Sequence, residues 1–167
     1  CLTTPLVEQE LLSNPDYIEG RAKSMAENNA WLAGNHTEKS TINIPVVIHI
    51  VHRTQDNIGS NTNISNLQIE DALRILNEDY SKTNPEFPNP PRNTFLNYVG
   101  NPDLRFCLAT SDPSGNSTNG ITRTSTTKSS FDADTESNDM KRNSSLGKDG
   151  WDPSKYLNIW ICNLSNS

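Results

Sequence analysis

The sequence predicts an α/β chain (α+β-like): a twisted mixed sheet of about three to five strands with one backing helix, preceded by a helical N-terminal arm. Three observations carry this. The run from Ile44 to Arg53, Ile-Pro-Val-Val-Ile-His-Ile-Val-His-Arg, is the densest apolar, β-branched stretch in a polar chain. A near-continuous run of this kind suits a strand covered on both faces. The stretch after Ile64 carries helical periodicity and a start signal, and two further β-rich runs follow it.

At 167 residues the chain has room for one domain and an appendage. The reading is an arm and linker over 1–42 and a folded unit over 43–167. The chain is 32% hydrophobic with a formal net charge of -6. Its acidic balance argues against nucleic acid as a partner. No apolar run approaches the ~20 residues needed to span a bilayer, so no transmembrane segment is expected. Abundant Asn, Ser and Thr suit a secreted or extracellular protein, with a cell-surface lipoprotein as a variant of that reading. The chain opens on Cys1, without a leader, which points to removal of whatever preceded it.

In the arm, Thr4-Pro5 opens a short helix through Leu12, and Asn14-Pro15 repeats the signature for a longer one. Ile18, Ala22, Met25 and Leu32 form a thin apolar stripe, and Gly34 is a stop. Such an arm is either a plain helical appendage or a pro-segment laid over a functional surface. Pro45, lacking an N–H, belongs at the start of the central strand. Ser65 and Gln68 make a capping box, with Ile64 stapled onto Ile69. Ile69, Ala72, Leu73, Leu76 and Tyr80 form one buried helix face. Pro85, Pro88, Pro90 and Pro91 forbid continuation.

Leu104 to Thr110 reads as the second strand, Asp112-Pro-Ser-Gly115 as a turn and Gly120 to Arg123 as a short edge strand. Thr124 to Gly150 is polar and weakly patterned, a length usually functional or mobile. Tyr156 to Asn163 is the third strong strand. Sequons at Asn35, Asn63, Asn116, Asn143 and Asn163 read as surface loops.

Few residues here carry chemistry. His36 sits in the linker. His49 and His52, three apart on a strand, point to opposite faces and are read as structural. Asp132, Asp134, Glu136 and Asp139 could suit a hard cation but lack EF-hand spacing, so a solvated loop is the expectation, with calcium left open. Taken alone, these residues do not make a complete active site. Cys1 has three readings: a lipidated residue, a cysteine at an artificial end, or a thiol that caps a zinc ion and holds an enzyme latent.

The run Ile44 to His52 resembles the first strand of the pappalysin-like metalloproteases, a metzincin family of secreted zinc endopeptidases, and of their bacterial members especially. Ile64-Ser65 to Asp79-Tyr80, Leu104 to Thr110 with Asp112-Pro-Ser-Gly, Asn119-Gly-Ile-Thr-Arg123, and Trp151-Asp-Pro with Tyr156-Leu-Asn-Ile-Trp160 recur in family order. The resemblance implies a pro-segment followed by the N-terminal subdomain of a metzincin catalytic domain. Cys1-Leu-Thr3 then resembles the Cys-Gly-Thr element of family zymogens, with Leu2 in place of glycine. The family's zinc motif, H-E-x-x-H-x-x-G-x-x-H, would lie beyond Ser167, so the resemblance implies no zinc ligand of the catalytic domain, no general-base glutamate and no catalytic residue in this chain. The missing C-terminal half of that domain and a peptide or protein substrate are the implied partners, and the chain alone is expected to be inactive. The alternative is a non-catalytic extracellular binding domain that reuses the fold. Family strand order also implies that Cys107 and Cys162 stand two strands apart, roughly 9–10 Å, too far for a disulfide. Both are therefore expected to be free, buried thiols.

Overall fold

The computed structural model describes residues 3–34, 40–87 and 93–165. The chain divides into two units, Cys1–Lys39 and Ser40–Ser167. The first holds α1 (Thr3–Ser13) and α2 (Pro15–Leu32). Asn14 caps α2 as the Asn-Pro pair foretells, its side chain accepting the Tyr17 N–H at 3.2 Å. No residue of α2 is buried, and Met25, Trp31 and Leu32 are each more than half exposed. One thin apolar stripe makes no core of its own.

The second unit is built on β1 (Ile42–Arg53). Around it stand α3 (Asn66–Ser81), β2 (Leu104–Leu108), β3 (Ile121–Thr126), β4 (Phe131–Asp132), β5 (Leu157–Ile161) and β6 (Leu164–Ser165). β2, β3 and β5 all pair with β1, and all three ladders are parallel. The expected mixed sheet is thus a four-stranded parallel one, because each return to β1 runs through a crossover rather than a hairpin. β4 and β6 form a separate two-stranded parallel pair.

Along a strand, successive residues turn their N–H and C=O to alternate edges. Val46 O accepts from Ala109 N, and Ile48 N donates to Gly120 O. Both β1 residues are even-numbered, so β2 and β3 lie end to end along one edge of β1. β5 takes the other edge. Pro45 lies inside β1 rather than at its start. It is odd-numbered, so its missing N–H faces the β5 edge, where the ladder begins only at Val46.

Both faces of β1 are covered, as the apolar run implies. Val46, Ile48 and Ile50 pack with Ile69 and Phe106, joined by Ile64, Leu73 and Leu76. Val47, His49 and Val51 are equally buried on the opposite face. The capping box at α3 forms: Ser65 Oγ accepts the Gln68 N–H at 3.3 Å, and Gln68 Oε1 accepts the Ser65 N–H at 2.9 Å. Tyr80 meets Phe106 edge-on at 5.0 Å, while Ala72 faces solvent. The helix ends at Lys82, in the left-handed region at φ 60°, before any proline.

α3 also shields an edge. Asn77 donates to Phe106 O at 2.9 Å and accepts from Phe106 N at 2.8 Å. One side chain thus occupies the outward groups of Phe106, midway along β2, that another strand would take. The expected structureless loop over Thr124 to Gly150 holds β3's end, β4 and two 3-10 turns, pinned by Phe131 and Ala133, which are buried.

Candidate functional site

Cys1, the zinc-capping candidate, and His36 lie outside the described residues. His52 is partly exposed and its Nδ1 is 2.9 Å from Arg53 O, a local bond. His49 is fully buried. Its Nδ1 lies 2.7 Å from Thr122 Oγ1 and its Nε2 lies 2.9 Å from Asn158 Oδ1. The two histidines point to opposite faces, and both nitrogens of His49 are engaged by neutral polar groups.

Asn158 organises this centre. Its Oδ1 accepts the Trp151 N–H at 2.7 Å, while its Nδ2 donates to Trp151 O at 2.9 Å and to Tyr156 O at 3.3 Å. The amide is thereby fixed, and Oδ1 can only accept. His49 Nε2 therefore carries the proton, and Nδ1 accepts from the Thr122 hydroxyl. Trp160 lies over the His49 ring at 5.1 Å and Trp151 meets it edge-on at 6.1 Å. Trp160 Nε1 donates to Lys148 O at 2.8 Å. Burial pushes the His49 pKa below its ordinary value; the Asn158 bond opposes this and the Lys148 charge adds to it. Trp151, Asn158 and Trp160 thus form one half-buried polar knot around the buried His49 of β1.

The acidic stretch is a self-satisfied turn. Asp132 Oδ1 accepts from the N–H groups of Asp134 and Thr135, each at 2.9 Å. Lys128 bonds Glu136 at 2.8 Å, which holds the Glu136 carboxyl below its ordinary range. Among the described residues no three His, Cys, Asp or Glu side chains come together as metal ligands. Zinc therefore finds no ligand set among these side chains. Cys107 and Cys162 are both free, half-buried rather than fully buried, with β1 between their strands. Cys162 Sγ lies 3.5 Å from Met140 Sδ, and burial raises the thiol's pKa.

Two arrangements have no simple sequence signal. Arg123 donates to Ile64 O at 2.8 Å, to Asn66 Oδ1 at 2.7 Å and to Asn63 Oδ1, tying β3 to the start of α3. Asn63 is consequently buried, not the surface loop its sequon suggested. At the carboxyl end of β1, Arg53, Asp56, Asn61, Thr62 and Asn163 line an open cavity of about 350 Å³. Asp56 is buried there and accepts from Asn61 Nδ2 at 2.8 Å. Their residues are scattered in polar loops, where only the turn geometry gathers them.

The edge of β5 that faces away from β1 is open. Its outward groups belong to Asn158 and Trp160, and among the described residues their backbone N–H and C=O make no hydrogen bond.

No protein-family model and no curated protein sequence matches the chain. Solved structures do. The chain is similar to mirolysin in complex with a compound, at 41% identity and a TM-score of 0.66 over 77% of this chain and 45% of that one. It is similar to mature mirolysin from Tannerella forsythia in complex with a cleaved peptide, at 40% identity and a TM-score of 0.66 over 78% and 45%. A mutant of Tannerella forsythia promirolysin matches at 37% identity and a TM-score of 0.68 over 92% of this chain and 47% of that one. The chain thus spans a little under half the length of the structures it matches. No helix among the described residues is long and apolar enough to cross a membrane. The parallel sheet, its backing helix and the helical N-terminal stretch are those of a metzincin-like protease fold.

Proposed function

We propose that this chain is part of a secreted, latent zinc endopeptidase of the pappalysin-like branch, supplying the pro-segment and the upper half of the cleft. One observation carries the reading. The mature mirolysin structure covers 78% of the chain, about the share that Ser40–Ser167 makes up, whereas the promirolysin structure covers 92%. The additional 14% matched with the zymogen, about 23 residues, would fit within Cys1–Lys39. Residues 1–39 are then the latency segment and Ser40–Ser167 the framework on which a cleft is built.

Peptide bonds of a protein or peptide are the substrate, and zinc supplies Lewis-acid chemistry on ligands carried by the other half of the catalytic domain. This chain's own part is structural. The open edge of β5 is where a further strand adds, and the His49–Asn158 knot sets the height and tilt of that edge. Cys1, on a detachable arm, is the candidate to cap the metal before activation.

The test begins with the reading frame past codon 167 and the protein it encodes. The full product, once freed of the arm, should cleave peptides, lose activity to a zinc chelator and regain it with zinc. Residues 1–167 alone should cleave nothing. A frame that ends without an H-E-x-x-H, or hydrolysis by 1–167 itself, would overturn the reading. For the thiol, Cys1→Ala should raise activity before arm removal; unchanged latency would remove Cys1 from the role.

A further inference from the structure

The His49 knot contains an ionisable group at the point where three strands and a loop meet. Every contact of the ring is made by the neutral form. Nε2–H donates to Asn158 Oδ1, whose orientation is fixed by Trp151 and Tyr156, and Nδ1 accepts from Thr122. A second proton would sit on Nδ1, facing Thr122 Oγ1. The hydroxyl would have to turn its own hydrogen away from its buried acceptor, and a positive charge would enter a fully buried site.

Among the described residues no carboxylate is placed to compensate. From β3 the ring meets Thr122, and from β5 it meets Asn158 and Trp160. Its own strand contributes Val47 and Val51 to the same face. From the 147–156 loop it meets Trp151, and the charged group acting on it is Lys148, a cation. The acids of that loop are engaged elsewhere: Asp149 accepts from Asn143 N at 2.8 Å, and Asp152 accepts from Ser154 N at 3.0 Å. The loop's start is held to the 139–146 segment by the Gly147 N–H on Arg142 O, the Lys148 N–H on Met140 O and the Asp149 N–H on Asn143 Oδ1. From Trp151 onward it is fastened by Asn158's bonds to Trp151 and Tyr156, the Trp160 bond to Lys148 O, and the Tyr156 hydroxyl bond to Ser111 O at 3.0 Å. Gly150 packs against the Trp160 ring, where an added Cβ would approach ring carbon at 3.0 Å.

We propose that His49 is a proton-operated latch: neutral, it holds the 147–156 loop and β5 against β1, and protonated, it releases the loop while the α3 side of the sheet stays folded. The two faces of β1 make this separation physical. The face bearing Ile48 and Ile50 packs on α3 through apolar contacts that do not titrate. The consequence is acid-softening of the segment that carries the Trp151 and Trp160 rings, a local event below the threshold of unfolding.

The experiment is hydrogen exchange with mass spectrometry on the intact protein at about pH 7.5 and about pH 5, corrected for the intrinsic pH dependence of exchange. Peptides covering 147–158 should exchange at least about tenfold faster at the acid pH, relative to peptides from α3. In His49→Gln, whose amide still donates to Asn158 but takes up no proton, that pH response should disappear. A histidine-selective carbon-13 NMR titration of the unmodified protein reads the same event without a variant: the His49 resonance should titrate together with the loss of protection in 147–158. Equal acceleration of α3 and the loop, a response retained in His49→Gln, or a His49 ring that takes up its proton with the loop still protected would each overturn the latch.

Discussion

At the residue scale the informative side chains are two amides and an imidazole. Asn77 and Asn158 each take both a donor and an acceptor from one backbone residue, Phe106 and Trp151 respectively. An amide is the side chain that matches a peptide group in this way, which a carboxylate cannot do. Asn158→Ala should therefore cost about 3 kcal/mol or more, since it strands the His49 Nε2–H and the Trp151 N–H. Urea unfolding with an unchanged slope reads this directly, and a loss under about 1 kcal/mol would show the knot to be replaceable. Protonation adds a second residue-scale effect. The His49 pKa is lowered by burial, so between its folded value and the ordinary 6.5 the unfolded chain binds the extra proton. Stability is therefore full above about pH 6.5, falls as pH drops through that window, and stops falling below the folded value. Urea midpoints measured from pH 8 down to 5 should decline for the natural protein and less for His49→Gln.

The element scale shows which local signals survive the fold. The Ser65–Gln68 capping box, the Asn14 cap and the Ile69, Leu73 and Leu76 stripe of α3 are as the residues foretell, because caps and periodicity are settled within a few residues of chain; Ala72 and Tyr80, expected on the same buried face, are exposed. Ser65→Ala should cost about 1 kcal/mol, seen as a lower melting temperature with the sheet intact. Pro45 shows the opposite case. Its place within a strand depends on where the β5 ladder begins, a fact held more than a hundred residues away. The 124–150 stretch likewise hides its order. Phe131 and Ala133 bury themselves against distant chain, leaving no periodic trace in the sequence. Gly147 is locked in the same way: a Cβ there would sit 2.3 Å from Met140 O, so Gly147→Ala should be strongly destabilising although the position looks like an ordinary loop glycine.

At the scale of the whole second unit, the sheet is asymmetric. On one side Asn77 caps Phe106 midway along β2, and on the other the outward groups of Asn158 and Trp160 on β5 are open. Gly120 is the joint that lets β3 continue the line of β2. Its φ is +70°, and a Cβ would meet Ala109 N at 2.7 Å. Gly120→Ala should cost about 2 kcal/mol or more and weaken the β1–β3 ladder first, which amide exchange of Ile121–Thr126 would show. Titration of the unfolded, unreduced chain should find Cys107 and Cys162 both reactive. By itself the sequence determined the central strand, the capped helix, the helical arm and the opposite facing of His49 and His52. These follow from side-chain shape, period and local hydrogen bonding. Only the tertiary structure decided that the sheet is wholly parallel, that Asn63 and Asp56 are buried, and that His49 sits between two tryptophans on an amide from β5. Those outcomes depend on which distant segments share an edge or a face, and polar residues carry no pattern that announces their partners.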